Sequence, residues 1–150
     1  MSRLLRLPLV LVLLAAAGCG GAAATREFAT RAEAGSAVAA WVPAGATELR
    51  LATEEGSGAF WLRFRLPKES RTALEPELVR IPDTQVATLT FRAPRGADWW
   101  FRGLVQVVPA RETTVIAADV HSGRGAAVPQ RALVASDRAS DAVYAWRAGR

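Results

Sequence analysis

Two segments of alternating apolar and polar residues, joined by a glycine-containing turn, most strongly limit the folds that this chain can adopt. Residues 47–53 place Leu49 and Leu51 on one face and charged side chains on the other. Residues 60–66 likewise place four large apolar side chains on a single face. A period of two is typical of a half-buried β-strand, and the glycines between the segments supply the positive φ angles of a hairpin loop. The sequence therefore predicts an antiparallel hairpin.

Three further segments are predicted to add strands to this hairpin. Residues 86–92 alternate again, residues 113–120 are rich in β-branched and apolar side chains, and residues 132–146 form two apolar segments about a polar turn. Short helices are predicted over 27–40 and after Pro67, which suits a first helical position. We therefore expect an α+β fold, a twisted antiparallel sheet with one or two helices packed on one face. An all-β barrel or sandwich is the alternative.

The N-terminal segment carries the features of an export signal. Arg3 and Arg6 precede an uninterrupted apolar run over residues 7–18. A helix that crosses a bilayer needs about 20 apolar residues, so this run is better suited to a secretory signal than to a permanent span. The segment Ala16-Ala17-Gly18-Cys19 resembles the lipobox of bacterial lipoproteins, in which small residues precede a cysteine that is acylated before the signal is cleaved.

The lipobox resemblance implies that residues 1–18 are a signal peptide and that Cys19 is the lipid-bearing first residue of an extracytoplasmic lipoprotein. Acyl chains such as palmitate would hold it in the inner or the outer membrane. Cys19 is the only cysteine, so no internal disulfide can form and the core alone must hold the fold. The small residues over 19–36 predict a tether, and residues 37–150 are expected to form a single domain.

The distribution of charge argues against a nucleic-acid partner. The formal net charge is +5, and loss of Arg3 and Arg6 with the signal leaves +3. The arginines are spread along the chain and interleaved with acidic residues, whereas a nucleic-acid footprint clusters them on one face. The expected partners are therefore the membrane, through the lipid on Cys19, and an envelope protein or glycan.

A second resemblance concerns the mature domain. Three segments carry it, in this order: Trp41-Val-Pro-Ala-Gly-Ala-Thr, Phe60-Trp-Leu-Arg-Phe-Arg-Leu-Pro and Val143-Tyr-Ala-Trp. They resemble a loose group of small, uncharacterised lipoproteins from GC-rich bacteria. The resemblance implies a hairpin, a helix after it and a closing strand, and it favours an envelope location and a compact domain. It implies no catalytic residues.

The tryptophans provide the candidate binding residues. Trp61 lies on the arginine face of its predicted strand beside Arg63 and Arg65, and Trp99 and Trp100 are adjacent. Exposed rings beside arginines suit stacking on sugars or docking of a partner. The opposite expectation is that neighbouring elements cover these rings, with a cation–π contact from Arg63 to Trp61. Large aromatic side chains usually serve burial, which favours the second expectation.

His121, the only histidine, is the one candidate for hydrolytic chemistry. A hydrolase would pair it with Ser122 or Ser136 as nucleophile and orient it with Asp119 or Asp141. Adjacent residues of a strand point to opposite faces, which argues against Ser122. The sequence also contains no Gly-x-Ser-x-Gly elbow.

No metal or cofactor is expected. One histidine, and one cysteine committed to lipid, leave zinc without its usual ligands. The loop that contains Asp137 and Asp141 lacks the terminal glutamate of an EF-hand, so it is predicted to be a solvated turn.

The sequence therefore predicts a non-enzymatic, lipid-anchored binding or accessory domain of the cell envelope. One alternative is a peptidoglycan- or glycan-binding module that uses Trp61, Trp99 or Trp100. The other is a hydrolase that uses His121.

Overall fold

The structure is a computed structural model that describes residues 23–86, 89, 93–100, 105–108, 113–125, 128–129 and 131–148. The strands in these residues are β1 (Ala24–Thr30), β2 (Thr47–Glu54), β3 (Ala59–Arg65), β4 (Leu78–Arg80), β5 (Val105–Val108), β6 (Thr113–Ile116), β7 (Ala118–Gly123), β8 (Leu133–Asp137) and β9 (Ala142–Arg147). The helices are α1 (Arg31–Ala34) and α2 (Asp83–Val86), with 3₁₀ segments at Gly35–Ala37, Lys68–Ala73 and Glu75–Glu77.

Seven of the strands form one antiparallel sheet in the order β1-β2-β3-β9-β8-β7-β4. Strands β5 and β6 form a separate antiparallel pair. The expected antiparallel sheet is confirmed, and both predicted hairpins, β2–β3 and β8–β9, are present. Within the described residues each α-helix is four residues long, so helical cover on the sheet is limited to single turns.

The sheet buries apolar side chains on both faces. On β3, Leu62 and Phe64 lie on what we call the first face, and Trp61 lies on the second. The chain between β1 and β2 and the segment that leads into β4 cover the first face, with Val42 and Leu74 among the buried side chains. Residues around Val86 and Trp100 cover the second face. The central strands are therefore buried on both sides, although alternation with charged residues predicted a half-buried sheet.

Within the segment expected to form a tether, 19–36, residues 24–30 form edge strand β1. Its side chains are mostly exposed, but Phe28 packs against the first-face cluster and draws the strand onto β2. This one apolar contact is too sparse to produce a periodic signal in the sequence. The helix expected over 27–40 is reduced to α1 and a 3₁₀ turn, since the chain reverses at Gly35, which has a φ of 52°.

Three other predicted elements differ from the structure or lie outside its described part. Pro67 is followed by a 3₁₀ segment and not by an α-helix. The strand expected over 113–120 is divided into β6 and β7 at Ala117. Most of the strand expected over 86–92 lies outside the described residues, and Val86 itself ends α2. None of the helices in the described part of the chain has the length and apolar character needed to cross a membrane.

Candidate binding cavity

A cavity of about 320 Å³ lies on the first face, at the edge of the sheet where β8, β7 and β4 run side by side. This volume is at the small end of the range for small-molecule sites, about 300–1,000 Å³. The cavity is lined by Arg71, Leu74, Glu75, Leu78, Arg80, Asp119, His121 and Ser136.

Strand register explains why the sheet residues meet in this cavity. Asp119 and His121 are two positions apart on β7, so their side chains leave the same face of the strand. Asp119 lies opposite Ser136 on β8, and His121 lies opposite Arg80 on β4. The 3₁₀ segments between β3 and β4 bring Arg71 and Glu75 to the remaining wall. The cavity therefore joins residues that lie as far as 65 positions apart in the chain.

The carboxylate of Asp119 is held by two guanidinium groups. Arg138 donates from Nη2 to Asp119 Oδ1 at 2.9 Å, and Arg80 donates to the same oxygen at 3.2 Å. Both arginines also approach Asp83, at 3.2 Å from Arg138 and 3.8 Å from Arg80. The four side chains form a neutral network at the rim of the cavity. Because the groups are solvent-exposed, each pair contributes only about 0–1 kcal/mol to stability.

Arg71 is fixed by the turn between β8 and β9. Its terminal nitrogens donate to the backbone carbonyl oxygens of Asp137, at 2.8 Å, and Ser140. Its Nε is buried and has no hydrogen-bond partner. The guanidinium is thus positioned by neutral carbonyl groups.

His121 is half-buried in the same wall, and its Nδ1 is buried without a hydrogen-bond partner. Burial lowers the pKa of His121 from its ordinary value of 6.5, and the charge of Arg80 acts in the same direction. The negative charge of Asp119, the neighbouring backbone of Asp119 and the negative charge of Glu75 oppose this shift without cancelling it. The imidazole is therefore neutral at pH 7.

The tryptophans proposed for binding pack mainly within the protein. Trp61 is 1% exposed and Trp100 is 4% exposed, and both lie on the second face, opposite the cavity. Trp100 makes edge-to-face contacts with Trp99 at 5.7 Å, Tyr144 at 5.6 Å and Trp146 at 6.0 Å between ring centroids. Trp99 is partly buried against this cluster. Stacking on a sugar needs an open ring face, which Trp61 and Trp100 do not present.

The two arginines proposed alongside these rings are placed differently. Arg63 is partly buried on β3, and Arg65 is exposed and pairs with Glu48 at 3.1 Å and Asp141 at 3.7 Å. A cation–π contact joins Arg147 to Phe60, with the guanidinium carbon 5.8 Å from the ring centroid.

Of the residues considered for hydrolysis, the structure brings Asp119, His121 and Ser136 to one cavity. Ser122 lies opposite Leu133, whose side chain packs on the second face, as strand alternation predicts. Asp141 is paired with Arg65 on the far side of the β8–β9 turn.

The acidic loop considered for calcium is a hydrogen-bonded turn. Asp137 accepts from the Ser140 hydroxyl at 2.6 Å and from the Ala139 backbone N–H at 2.8 Å. Desolvation raises the pKa of Asp137, but these hydrogen bonds and the charge of Arg71 outweigh it and hold the pKa below its ordinary value of 3.8. Within the described residues, no group of three or more His, Cys, Asp or Glu side chains is arranged to hold a metal ion.

Sequence reasoning missed Arg71, Glu75 and Arg80 as site residues. The alternation of 118–123 was sufficient to place Asp119 and His121 on one face. No sequence signal marks Arg71, because its position depends on a contact with carbonyl groups 66 and 69 residues further along the chain.

Comparison with known proteins gives no similarity on which to base an assignment. No protein-family model, no curated protein and no solved structure matches this chain.

Proposed function

We propose that this protein is a lipid-anchored, extracytoplasmic binding domain of the cell envelope and that the cavity beside β7 is its binding site. The export signal and the lipobox-like Ala16-Ala17-Gly18-Cys19 support the anchor. The first face is covered by the short helical turns of the segments 31–46 and 66–78, which supports classing the domain as α+β.

The spacing between Cys19 and the sheet supports this arrangement. Cys19 lies five residues before Ala24, where β1 begins, and a chain of that length reaches at most about 17 Å. The cavity lies across the sheet, and β7 is five strands away from β1. At about 4.8 Å per strand this separation is about 24 Å. The domain is therefore attached along one edge and carries its cavity near the other.

The observation that carries binding in preference to catalysis is the bonding of Asp119. A hydrolytic relay requires the acid to orient the histidine through a charge-assisted hydrogen bond. The carboxylate of Asp119 instead accepts from Arg138 at 2.9 Å and from Arg80 at 3.2 Å. Its negative charge is compensated by two guanidinium groups, and among the described contacts its carboxylate makes no hydrogen bond to the imidazole. This arrangement suits a pre-formed polar wall better than a proton relay.

Mass spectrometry of the N-terminus of the protein isolated from cells tests the anchor. We expect a chain that begins at an acylated Cys19, and we expect Cys19→Ser to remain unprocessed and without lipid. Gly20→Ser, one residue further on, is the matched control and should be processed normally. Recovery of the full-length chain from cells with Met1 attached and a free thiol at Cys19 would contradict the proposal.

A hydrolase is the second candidate, because Asp119, His121 and Ser136 do line one cavity. Hydrolysis of a small activated ester by the isolated protein, compared with His121→Ala and Ser136→Ala, tests it. A hydrolase of this design loses activity in both variants. Activity that survives His121→Ala removes the histidine from any mechanism.

A further inference from the structure

We infer that the cavity on the first face binds an uncharged, hydroxyl-bearing small molecule, of the size of one sugar ring, and not an anion or a metal ion. This inference deepens the proposed binding function and rests on its claim that the cavity is the binding site. It differs from the glycan module considered from sequence, because the tryptophans of that module lie on the second face.

The charges that line the cavity cancel. Arg71 and Arg80 contribute two positive charges, Glu75 and Asp119 contribute two negative charges, and His121 is neutral at pH 7. An anion attracted to Arg71 is repelled by Glu75 in the same small cavity. A cation is attracted to Glu75 and repelled by Arg71. Neither sign of ligand charge gains a net Coulombic advantage, so the lining favours a neutral ligand.

The hydrogen-bonding groups of the lining are mixed in kind. The Arg80 guanidinium is a donor, the Glu75 carboxylate is an acceptor, and the Ser136 hydroxyl is both. A hydroxyl group also donates and accepts, so a ligand with several hydroxyls matches this wall, whereas a carboxylate can only accept. This mixed lining favours ligands whose groups both donate and accept.

The apolar part of the wall comes from Leu74 and Leu78, which are 3% and 6% exposed and belong to the first-face core. With so little exposed surface these side chains close the floor of the cavity, and the contacts with a ligand come mainly from the polar wall. The volume of about 320 Å³ limits the ligand to a small unit.

The single histidine permits a local measurement on the isolated protein. We expect N-acetylglucosamine and glucose at millimolar concentration to shift the imidazole NMR signals of His121 and to leave the indole signals of the second-face tryptophans in place. Acetate and inorganic phosphate serve as the anionic probes and should produce no saturable shift. Calorimetry with N-acetylglucosamine then gives the affinity.

Variants of the wall should weaken the binding of N-acetylglucosamine. One hydrogen bond contributes about 0.5–1.5 kcal/mol, so Ser136→Ala and Glu75→Ala should each lower the affinity about two- to tenfold. Glu55→Ala is the matched control, because Glu55 is an exposed glutamate in the β2–β3 turn, away from the cavity. Glu75 is itself exposed, so its substitution leaves the fold intact.

Three outcomes would overturn the inference. They are the absence of a saturable His121 shift with either sugar, tighter binding of phosphate or acetate, and a sugar response confined to the indole signals. Each is distinguishable from failure of the proposed anchor, because the N-terminal mass is measured independently of the titration.

Discussion

His121 makes the stability of this protein sensitive to acid in a range where few other groups titrate. Its pKa is lowered in the folded state from 6.5 by burial, so the unfolded chain binds a proton more readily. Its contribution to stability is complete above pH 6.5 and is lost as the pH falls through the folded-state pKa. The pKa of Asp137 is also lowered by folding, so its contribution to stability is lost in a separate pH range, below its ordinary pKa of 3.8.

We therefore expect the melting temperature to fall when the pH is lowered from 7.5 to about 5, and His121→Gln to flatten this dependence. Thermal melts of both proteins across this range, followed by circular dichroism, provide the measurement. An equal pH dependence in the two proteins would show that His121 is not responsible for it.

Arg131 is a second residue with a local consequence, since its φ of 64° lies in the left-handed region. A residue with a side chain is strained there, whereas glycine is not. Arg131→Gly should raise the free energy of unfolding by about 0.5–1 kcal/mol, measured by urea denaturation. Arg26→Gly, at an exposed position of β1 with an ordinary φ, should instead lower it. Destabilisation by Arg131→Gly would contradict the argument.

At the scale of elements, the end of β7 is held by a close approach of the following loop. A Cβ atom at Gly123 would lie 2.6 Å from Val128 Cγ1 and 2.7 Å from the Pro129 carbonyl oxygen. Val128 is fully buried in the first-face core, so it cannot move aside without loss of packing.

Gly123→Ala is therefore expected to lower the free energy of unfolding by about 1–3 kcal/mol, as overpacking does in other cores. Gly45→Ala is the matched control, because a Cβ atom there meets no atom within 4 Å. It should be neutral or slightly stabilising. Chemical denaturation of both variants provides the comparison, and equal effects at the two glycines would refute the packing argument.

The hairpins β2–β3 and β8–β9 were predictable from sequence. The first has a period of two on both sides of a glycine-containing turn, and the second has two apolar segments about a short polar turn. Strand β1 was not, since Phe28 is its one side chain packed into the core. The cavity was predictable only as far as the shared face of Asp119 and His121. The position of Arg71 depends on contacts between its 3₁₀ segment and the β8–β9 turn, which lies far along the chain. Local sequence patterns do not encode such contacts.

At the scale of the whole molecule, the sheet is assembled around β9. This strand pairs with β3 on one side and with β8 on the other, and so joins β1-β2-β3 to β8-β7-β4. It also contributes to both cores, with Val143 buried on the first face and Trp146 on the second.

Truncation after Asp141 should therefore abolish cooperative thermal unfolding, because it removes the strand that joins the two halves of the sheet and part of each core. Truncation after Arg147 retains β9 and should preserve the transition. Differential scanning calorimetry distinguishes the two proteins. A cooperative transition in the shorter one would show that the halves associate without β9.

The position of β9 after the other strands of the sheet also affects the order of folding, because the sheet cannot be completed before β9 is available. The edges of β3 and β8 that β9 joins stay unpaired until residues 142–147 have been synthesised. This holds even if β1-β2-β3 and β8-β7-β4 form earlier. Uncovered strand borders invite pairing with other nascent chains. Whatever protects the facing borders of β3 and β8 in the unfinished sheet therefore has to act until β9 pairs with both strands.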